Sequence, residues 1–459
     1  MIFGTEILKY REAILKDLAD LVAIPSIRGQ AQEGMPFGKE SAKALGLILD
    51  KAEKMGFTVK NADNYAGHAE YGSGDELAAV AAHIDVVPAG DGWDSEPFTL
   101  TQKGNLIYGR GVADDKGAAV VALYCLKALK DANITGNRRL RVIFGAGEET
   151  GMEDLAYYFQ KEEMPTMGFT PDSDYGICNR EKGILQISLS SDAKNSGIVK
   201  QFNAGAVYNA VPDRAYAVLR CSDHTVQALK DAAKTAKGSF TFEPSAEGIR
   251  IASQGKASHA MQPQAGFNAA AALLRLLSSI LTPQELGGMF TFLDRKIGFL
   301  YDGSGLGVNQ SDEQSGPLTL NLGIVRADES HMEAGIDIRY PVTSDGDKIF
   351  TQIKRQAEEA GLTAALRENS KPLYLPDNSP LISILQESYA NIMGRPAELY
   401  ATGGGTYARA MKGTAVAFGP FFPDEPDRRL HNTNEHIDID RFMLHAQICL
   451  EAMYRMFTA

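Results

Sequence analysis

The spacing of apolar positions changes several times along the chain, and each spacing predicts a different element. Over residues 5–25, Ile7, Leu8, Ile14, Leu15, Leu18 and Leu21 recur at helical intervals, with Thr5 as a candidate cap; Ala23-Ile-Pro-Ser26 stops the helix. A second amphipathic helix covers 39–55 and ends at Gly56. Residues 57–59 and 65–71 read as short strands. From 76 to 87 the pattern becomes a near-continuous apolar run, Leu77-Ala-Ala-Val-Ala-Ala-His83-Ile-Asp85-Val-Val87, as in a strand buried on both faces. A hairpin (98–100 with 106–108) and an apolar helix (117–129) follow. Leu140-Arg-Val-Ile-Phe144 is another buried strand, closed by Gly145; 153–161 reads as a short helix; Gly168-Phe-Thr-Pro-Asp172 is a further strand end.

Near Leu185 the spacing turns to alternation. Strands are expected at 185–189, 215–220, 248–253, 318–325, 331–339 and near Ala364, with helices at 225–237 and 345–360. Strand, helix, strand occurs twice in similar order, so this part reads as an α+β domain that is internally doubled; 255–280 and 287–307 sit between the halves. From residue 379 the first style returns: a helix over 380–393, a strand, tight turn and helix start over Glu398-Leu-Tyr-Ala-Thr-Gly-Gly-Gly-Thr-Tyr407, the buried strand Thr414-Ala-Val-Ala-Phe418, and a closing helix over 439–457 capped by Asp438 or Asp440. The expected organisation is an α/β domain of 1–184 and 379–459 into which 185–378 is inserted. In such a domain ligands bind beyond the carboxyl ends of the strands.

Composition narrows the function. A chain of 459 residues exceeds one typical domain. A net charge of −12 argues against nucleic acid and against anionic membranes as partners. No apolar run is long enough to span a bilayer, and the N-terminus opens into amphipathic helix without a secretory pattern. Cys125, Cys178, Cys221 and Cys449 show no paired spacing, as expected of a reduced, cytoplasmic protein, and none is placed as a zinc ligand or nucleophile.

The chemistry centres on Gly145-Ala-Gly-Glu148-Glu149-Thr-Gly151. Adjacent carboxylates at the end of a buried strand are costly without positive charge between them. Either the pair faces a metal, with one acid as ligand and the other as base, or it lies in a solvated loop. The other candidates at strand ends and in loops are His83, Asp85, Asp114, Asp115, Asp172, Asp174 and His431. Two histidines with several carboxylates and no cysteine suit a pair of divalent ions, zinc above all.

Taken in order, His83-Ile-Asp85, Gly109-Arg-Gly-Val-Ala-Asp114-Asp-Lys-Gly117, Glu148-Glu149-Thr-Gly, Thr170-Pro-Asp172 and Leu430-His431-Asn-Thr-Asn-Glu435 resemble the M20 family of co-catalytic zinc peptidases over nearly the whole chain. Thr170-Pro-Asp-Ser-Asp174, Gly403-Gly-Gly-Thr-Tyr407 and the large insert look most like its dipeptidase V (Xaa-His dipeptidase) branch. The resemblance implies a catalytic domain with a mixed central sheet flanked by helices, plus an inserted lid. It implies that Asp114 bridges two Zn²⁺ through a cis peptide to Asp115, that His83 and Asp172 complete one site, and that Glu149 and His431 complete the other, with Co²⁺ or Mn²⁺ as substitutes. Glu148 would be the general base that activates a metal-bridging hydroxide, and Asp85 would orient His83. In the insert, Asn209 and His259 would steady the oxyanion, and Arg339 with the backbone of Gly403, Gly404, Gly405 and Thr406 would hold the substrate carboxylate. Met261-Gln-Pro263 is bulkier than the small residues often found after that histidine, which bears on side-chain preference.

The expected activity is hydrolysis of dipeptides with a free N-terminus. An N-acyl amino acid deacylase or a carboxypeptidase using the same site is the alternative, and a silent peptide or metal binder a third reading that the intact Glu148 disfavours. Because the insert is about twice the length that one lid needs, the chain is expected to supply His259 to its own site and to act as a monomer.

Overall fold

A computed structural model describes residues 2–191 and 197–459. The chain divides into two compact units: Met1–Asn179, Leu373–Tyr400 and Gly405–Ala459 form one, and Arg180–Pro372 with Ala401–Gly404 form the other.

The first unit is built on a mixed nine-stranded sheet. At its centre Leu77–His83 runs parallel to Arg139–Gly145 on one side and to Met167–Thr170 on the other. Every residue of Leu77–His83 is buried, which is why that segment reads as one apolar run. Outward from Arg139–Gly145 come the antiparallel strands Ala66–Gly72 and Thr58–Ala62; beyond Met167–Thr170 lies Ala415–Ala417, parallel to it. Helices Lys116–Asp131 and Ile439–Thr458 pack on the sheet through alanines and long aliphatic side chains. The three central parallel strands end side by side. Their carboxyl ends deliver His83, the turn holding Glu148 and Glu149, and Asp172 to one edge, so the topology converges the acids that the sequence scatters.

Boundaries differ from the sequence reading where tertiary contacts intervene. The strand expected over 76–87 stops at His83: the Ile84 N–H still reaches the Gly145 carbonyl at the end of the neighbouring strand, but the Val86 N–H turns away to the Ser26 carbonyl. Thr5 does not cap the first helix. That segment opens as a 3₁₀ turn, Gly4–Tyr10, before Arg11–Val22, and the free N–H groups of Phe3 and Gly4 go to the Glu451 carboxylate, at 2.7 and 2.9 Å. The expected hairpin lies at Thr101–Lys103 and Leu106–Tyr108, with His436–Asp438 as its third strand.

The second unit is an eight-stranded antiparallel sheet in the order Ser239–Ser245, Gly248–Gln254, Arg214–Leu219, Val199–Ala204, Thr319–Ala327, Met332–Tyr340, Gly183–Ser191, Thr363–Ser370. Alternation places Leu185, Ile187, Leu189, Ile336 and Ile338 in the core, together with residues of helices Ala269–Ser278, Gly288–Lys296 and Gly346–Glu359. Gln186, Asp337 and Arg339 take the opposite face. Among the described residues no helix is long and apolar enough to cross a membrane.

Candidate active site

The first-unit candidates come together except Asp174, which is exposed and pairs with Arg428 at 3.3 Å instead. Asp114 turns one carboxylate oxygen to each imidazole: Oδ1 lies 2.9 Å from His83 Nε2, and Oδ2 lies 3.0 Å from His431 Nε2. Glu149 Oε2 is 3.2 Å from His431 Nε2, and Asp172 Oδ2 is 4.0 Å from His83 Nε2. The donor atoms of His83, Asp114 and Glu149 lie within 4.8 Å of one another, as do those of His83, Glu148 and Asp172. The Asp114–Asp115 peptide is cis. His83, Asp114, Glu149 and Asp172 are largely shielded, while His431 is exposed on its loop with φ 59°.

Backbone contacts fix these groups. His83 Nδ1 faces the Asp85 carbonyl at 3.0 Å, with Asp85 Oδ1 3.5 Å away, so Nδ1–H donates there and Nε2 is turned to the acids. The Asp85 carboxylate has a second task that sequence reasoning missed: it accepts the backbone N–H of both Glu148 and Glu149, each at 3.1 Å. The two acids are presented by a short 3₁₀ turn, Glu148–Thr150, that Gly151 closes at φ 119°.

Crowding sets the electrostatics. Burial lifts the Glu148 carboxyl well above its usual range; His83 opposes this, and Asp172, Glu149 and Asp85 add to it. Burial and the Asp114 charge push Asp172 up to about 8. Hydrogen bonds to Asp114 and Glu149 raise His431 to about 10. Burial pulls His83 down, but its bonds to Asp114 and Asp85 prevail and raise it. Burial likewise works against the Asp114 carboxylate, yet His431 and His83 hold it below the ordinary carboxylate range. Burial and the close pairing of two imidazoles with several carboxylates together set these shifts. Glu149 Oε1 is buried with no hydrogen-bond partner among the described residues. Nitrogen and carboxylate donors without a thiolate, and an acceptor awaiting a partner, fit divalent cations of the hard-to-borderline class.

Glu435 is a functional residue quoted in the sequence motif but given no role there. Fully buried, it accepts the N–H groups of Gly111, Ala113 and Asp114 and pairs with Arg110 at 2.7 Å, clamping the loop that carries Asp114. Trp93 is a packing residue: its Nε1 donates to Ala89 O, and Arg110 lies over its ring. The other candidates belong to the second unit, except Gly405 and Thr406, which lie in the first. Asn209 is exposed, and its carbonyl accepts Ala260 N–H. His259 Nδ1 accepts Met261 N–H at 3.1 Å; partial desolvation and the Arg339 charge hold its pKa below the usual value. Its neutral form therefore carries the proton on Nε2. Arg339 is buried in a two-point bond with Asp337, at 2.6 and 3.0 Å, and Nη1 donates to Gly403 O at 2.8 Å. Asp337 was legible as a same-face neighbour two residues earlier on the strand.

Comparison with known proteins follows the same line. A profile of Peptidase family M20/M25/M40 matches residues 79–455. A Bacillus subtilis (strain 168) protein, YtjP, provisionally named a dipeptidase, is 37% identical over 99% of this chain and all of its own length. A relative from Staphylococcus saprophyticus, named in the same provisional way, is 32% identical over 98% of both chains. Among solved structures, human carnosine dipeptidase 1 superposes with a TM-score of 0.58 at 14% identity, covering 99% of this chain and 98% of that one. The aminoacylhistidine dipeptidase of Vibrio alginolyticus gives 0.57 at 16% identity over 96% of each. At such identities the two structures speak for the fold alone.

Proposed function

The chain belongs to the M20 peptidase family and is a metallopeptidase, and from that premise we propose that it is a di-zinc dipeptidase acting on dipeptides with a free N-terminus. The observation that carries the reading is the Asp114 carboxylate set between the His83 and His431 imidazoles, with Glu148 beside them but outside both of its hydrogen bonds. In this proposal Asp114, His83 and Asp172 would hold one ion, and Asp114, Glu149 and His431 the other; zinc is the expected metal, with Co²⁺ or Mn²⁺ as substitutes. Such ions supply Lewis acidity, polarising a scissile carbonyl and making an attacking water more acidic.

The remaining work falls to side chains. Glu148 takes the proton from the attacking water and returns it to the leaving amine. Asp85 holds the Glu148 and Glu149 backbone in place and, through its carbonyl, keeps the His83 tautomer that points Nε2 at the acids. His259, with Nδ1 occupied by Met261 N–H, offers Nε2–H to the oxyanion, with Asn209 as second donor. Arg339 uses its Nε–Nη2 edge on Asp337 and keeps N–H groups on Nη1 and Nη2 for a substrate carboxylate, which the backbone of Gly403, Gly404, Gly405 and Thr406 also receives. We place the enzyme in the reducing cytoplasm, on the support of four unbridged cysteines, and propose that it works as a monomer.

A dipeptide panel tests the assignment. Chelation should abolish turnover, and Zn²⁺, Co²⁺ or Mn²⁺ should restore it. Glu148→Ala should lose roughly 10²- to 10⁴-fold in kcat with its metal content intact; loss of zinc in that variant would mean that Glu148 and Glu149 exchange roles. N-acetylated dipeptides should be poor substrates. Their preference over free-amine dipeptides would make the protein a deacylase instead.

A further inference from the structure

One buried polar pair in the first unit has no part in the reaction as described. Asp154 and Tyr407 are both fully shielded from solvent. Asp154 lies in the first turn of helix Glu153–Lys161, where unpaired N–H groups favour a negative charge. Its Oδ1 accepts Leu155 N–H at 2.7 Å; its Oδ2 accepts Gly147 N–H at 2.8 Å and the hydroxyl of Tyr407. Gly147 is the residue before Glu148. Tyr407 directly follows Gly405 and Thr406 and opens the short helix that Thr406 caps. Its ring stands edge-on to the His83 imidazole, with centroids 6.2 Å apart at 88°. One carboxylate oxygen thus ties the turn presenting Glu148 to the chain leaving the glycine loop. Gly145 makes room for this: a Cβ there would fall on the Tyr407 hydroxyl and on Asp154 Oδ2. Glycine weakens a strand, and its presence at a strand end marks such a close approach.

We infer that the Tyr407–Asp154 hydrogen bond is a positioning device that keeps the Gly405–Thr406 end of the carboxylate-holding loop in register with the general base. The inference rests on the reading of Glu148 as base and of that loop as substrate-holding. A displacement of about 1 Å between a base and a bound substrate can cost on the order of 10²-fold in rate, so a bond joining the two holders acts on kcat and KM together.

Tyr407→Phe keeps the ring against His83 and removes only the hydroxyl. With unchanged zinc content it should lower kcat and raise KM, for a combined loss of about 10- to 100-fold in kcat/KM. Asp154→Asn, whose NH2 group must also face the Gly147 or Leu155 N–H, should act in the same direction, and the double variant should be no worse than the poorer single one, since the Tyr407 bond can be lost only once. Gly145→Ala, which pushes a methyl between the partners, should reproduce the effect; if it fails to fold, Tyr407→Phe carries the test. Glu148→Ala is measured alongside. If it is inactive while Tyr407→Phe matches the parent in kcat and KM per metal-loaded molecule, differing only in melting temperature, the pair is a stability element and the inference is overturned by itself. If Glu148→Ala retains turnover, the base assignment has failed and the inference falls with it.

Discussion

Single residues decide the site through what they hold as much as through what they face. Glu435 shows this most directly. Its carboxylate receives three backbone N–H groups and Arg110 in a space without water access, so its removal strands four donors. Glu435→Ala should cost about 3–5 kcal/mol, the scale for unpairing a buried charge, and a urea midpoint shift at constant m measures it. His445 acts through pH. Burial holds its pKa at about 3, while an unfolded histidine titrates near 6.5. Between these values the unfolded chain binds the extra proton. The contribution of His445 is therefore complete above about pH 6.5, declines by about 1.4 kcal/mol per pH unit on acidification, and levels off near 3. His445→Gln should remove about one proton from the slope of stability against pH between 6 and 4; His68, also held at about 3 by burial, keeps its own share.

Elements are joined by interactions that lie far apart in sequence. Helix Ile439–Thr458 starts where the Asp438 carboxylate accepts the N–H groups of Asp440 and Arg441; the same carboxylate also takes Asn105. Asp438→Ala should destabilise by about 1 kcal/mol or somewhat more, read from a denaturation curve. In the second unit the register records an internal repeat. Val199–Ala204 slips against its hairpin partner between Val199 and Gln201, and Thr319–Ala327 slips against its own between Leu322 and Ile324. The two strands pair with each other through Asn203 and Arg326, each three residues past the extra residue of its bulge, Lys200 or Gly323. A pseudo-twofold axis therefore runs through that pair. In both halves a hairpin leads to a helix, Asp223–Ala233 or Gly346–Glu359, and then to an outermost strand. The third strand differs in origin: Gly248–Gln254 follows its half, whereas Gly183–Ser191 precedes everything in the unit.

At the scale of the molecule, the doubled sheet supports the monomer proposal, because one chain holds both halves of a symmetric lid-like sheet. Sedimentation at working concentration should give the mass of a single chain, 49.6 kDa. His259→Ala should lower kcat by roughly 10²- to 10³-fold with metals retained, as expected for loss of an oxyanion donor. An obligate dimer in which inactive His259 and Glu148 variants restore each other's activity would show that the site is shared between chains and that the proposal is wrong.

Sequence alone determined the elements whose signal is local or strictly periodic. Helices Glu153–Lys161 and Pro380–Met393 fall where spacing predicts them, because each repeats apolar residues on one face and has its own end signals. The buried central strands are legible because strands covered on both faces are mostly apolar, as Leu77–Ala82 and Val142–Phe144 are. The family was legible because its motifs are short, ordered and carried by residue type. The polar strands Val199–Ala204 and Ser239–Ser245 were not, since only their pairing with neighbours identifies them as strands. Tertiary structure alone decided the supporting bonds: Glu451 on the first turn, Asp85 on the Glu148–Glu149 backbone, Glu435 under Asp114, and Asp154 between Gly147 and Tyr407. The physical reason is common to all four. A carboxylate is stable when buried only where chain-distant N–H and O–H groups converge on it, and convergence is a property of topology that residue spacing does not encode.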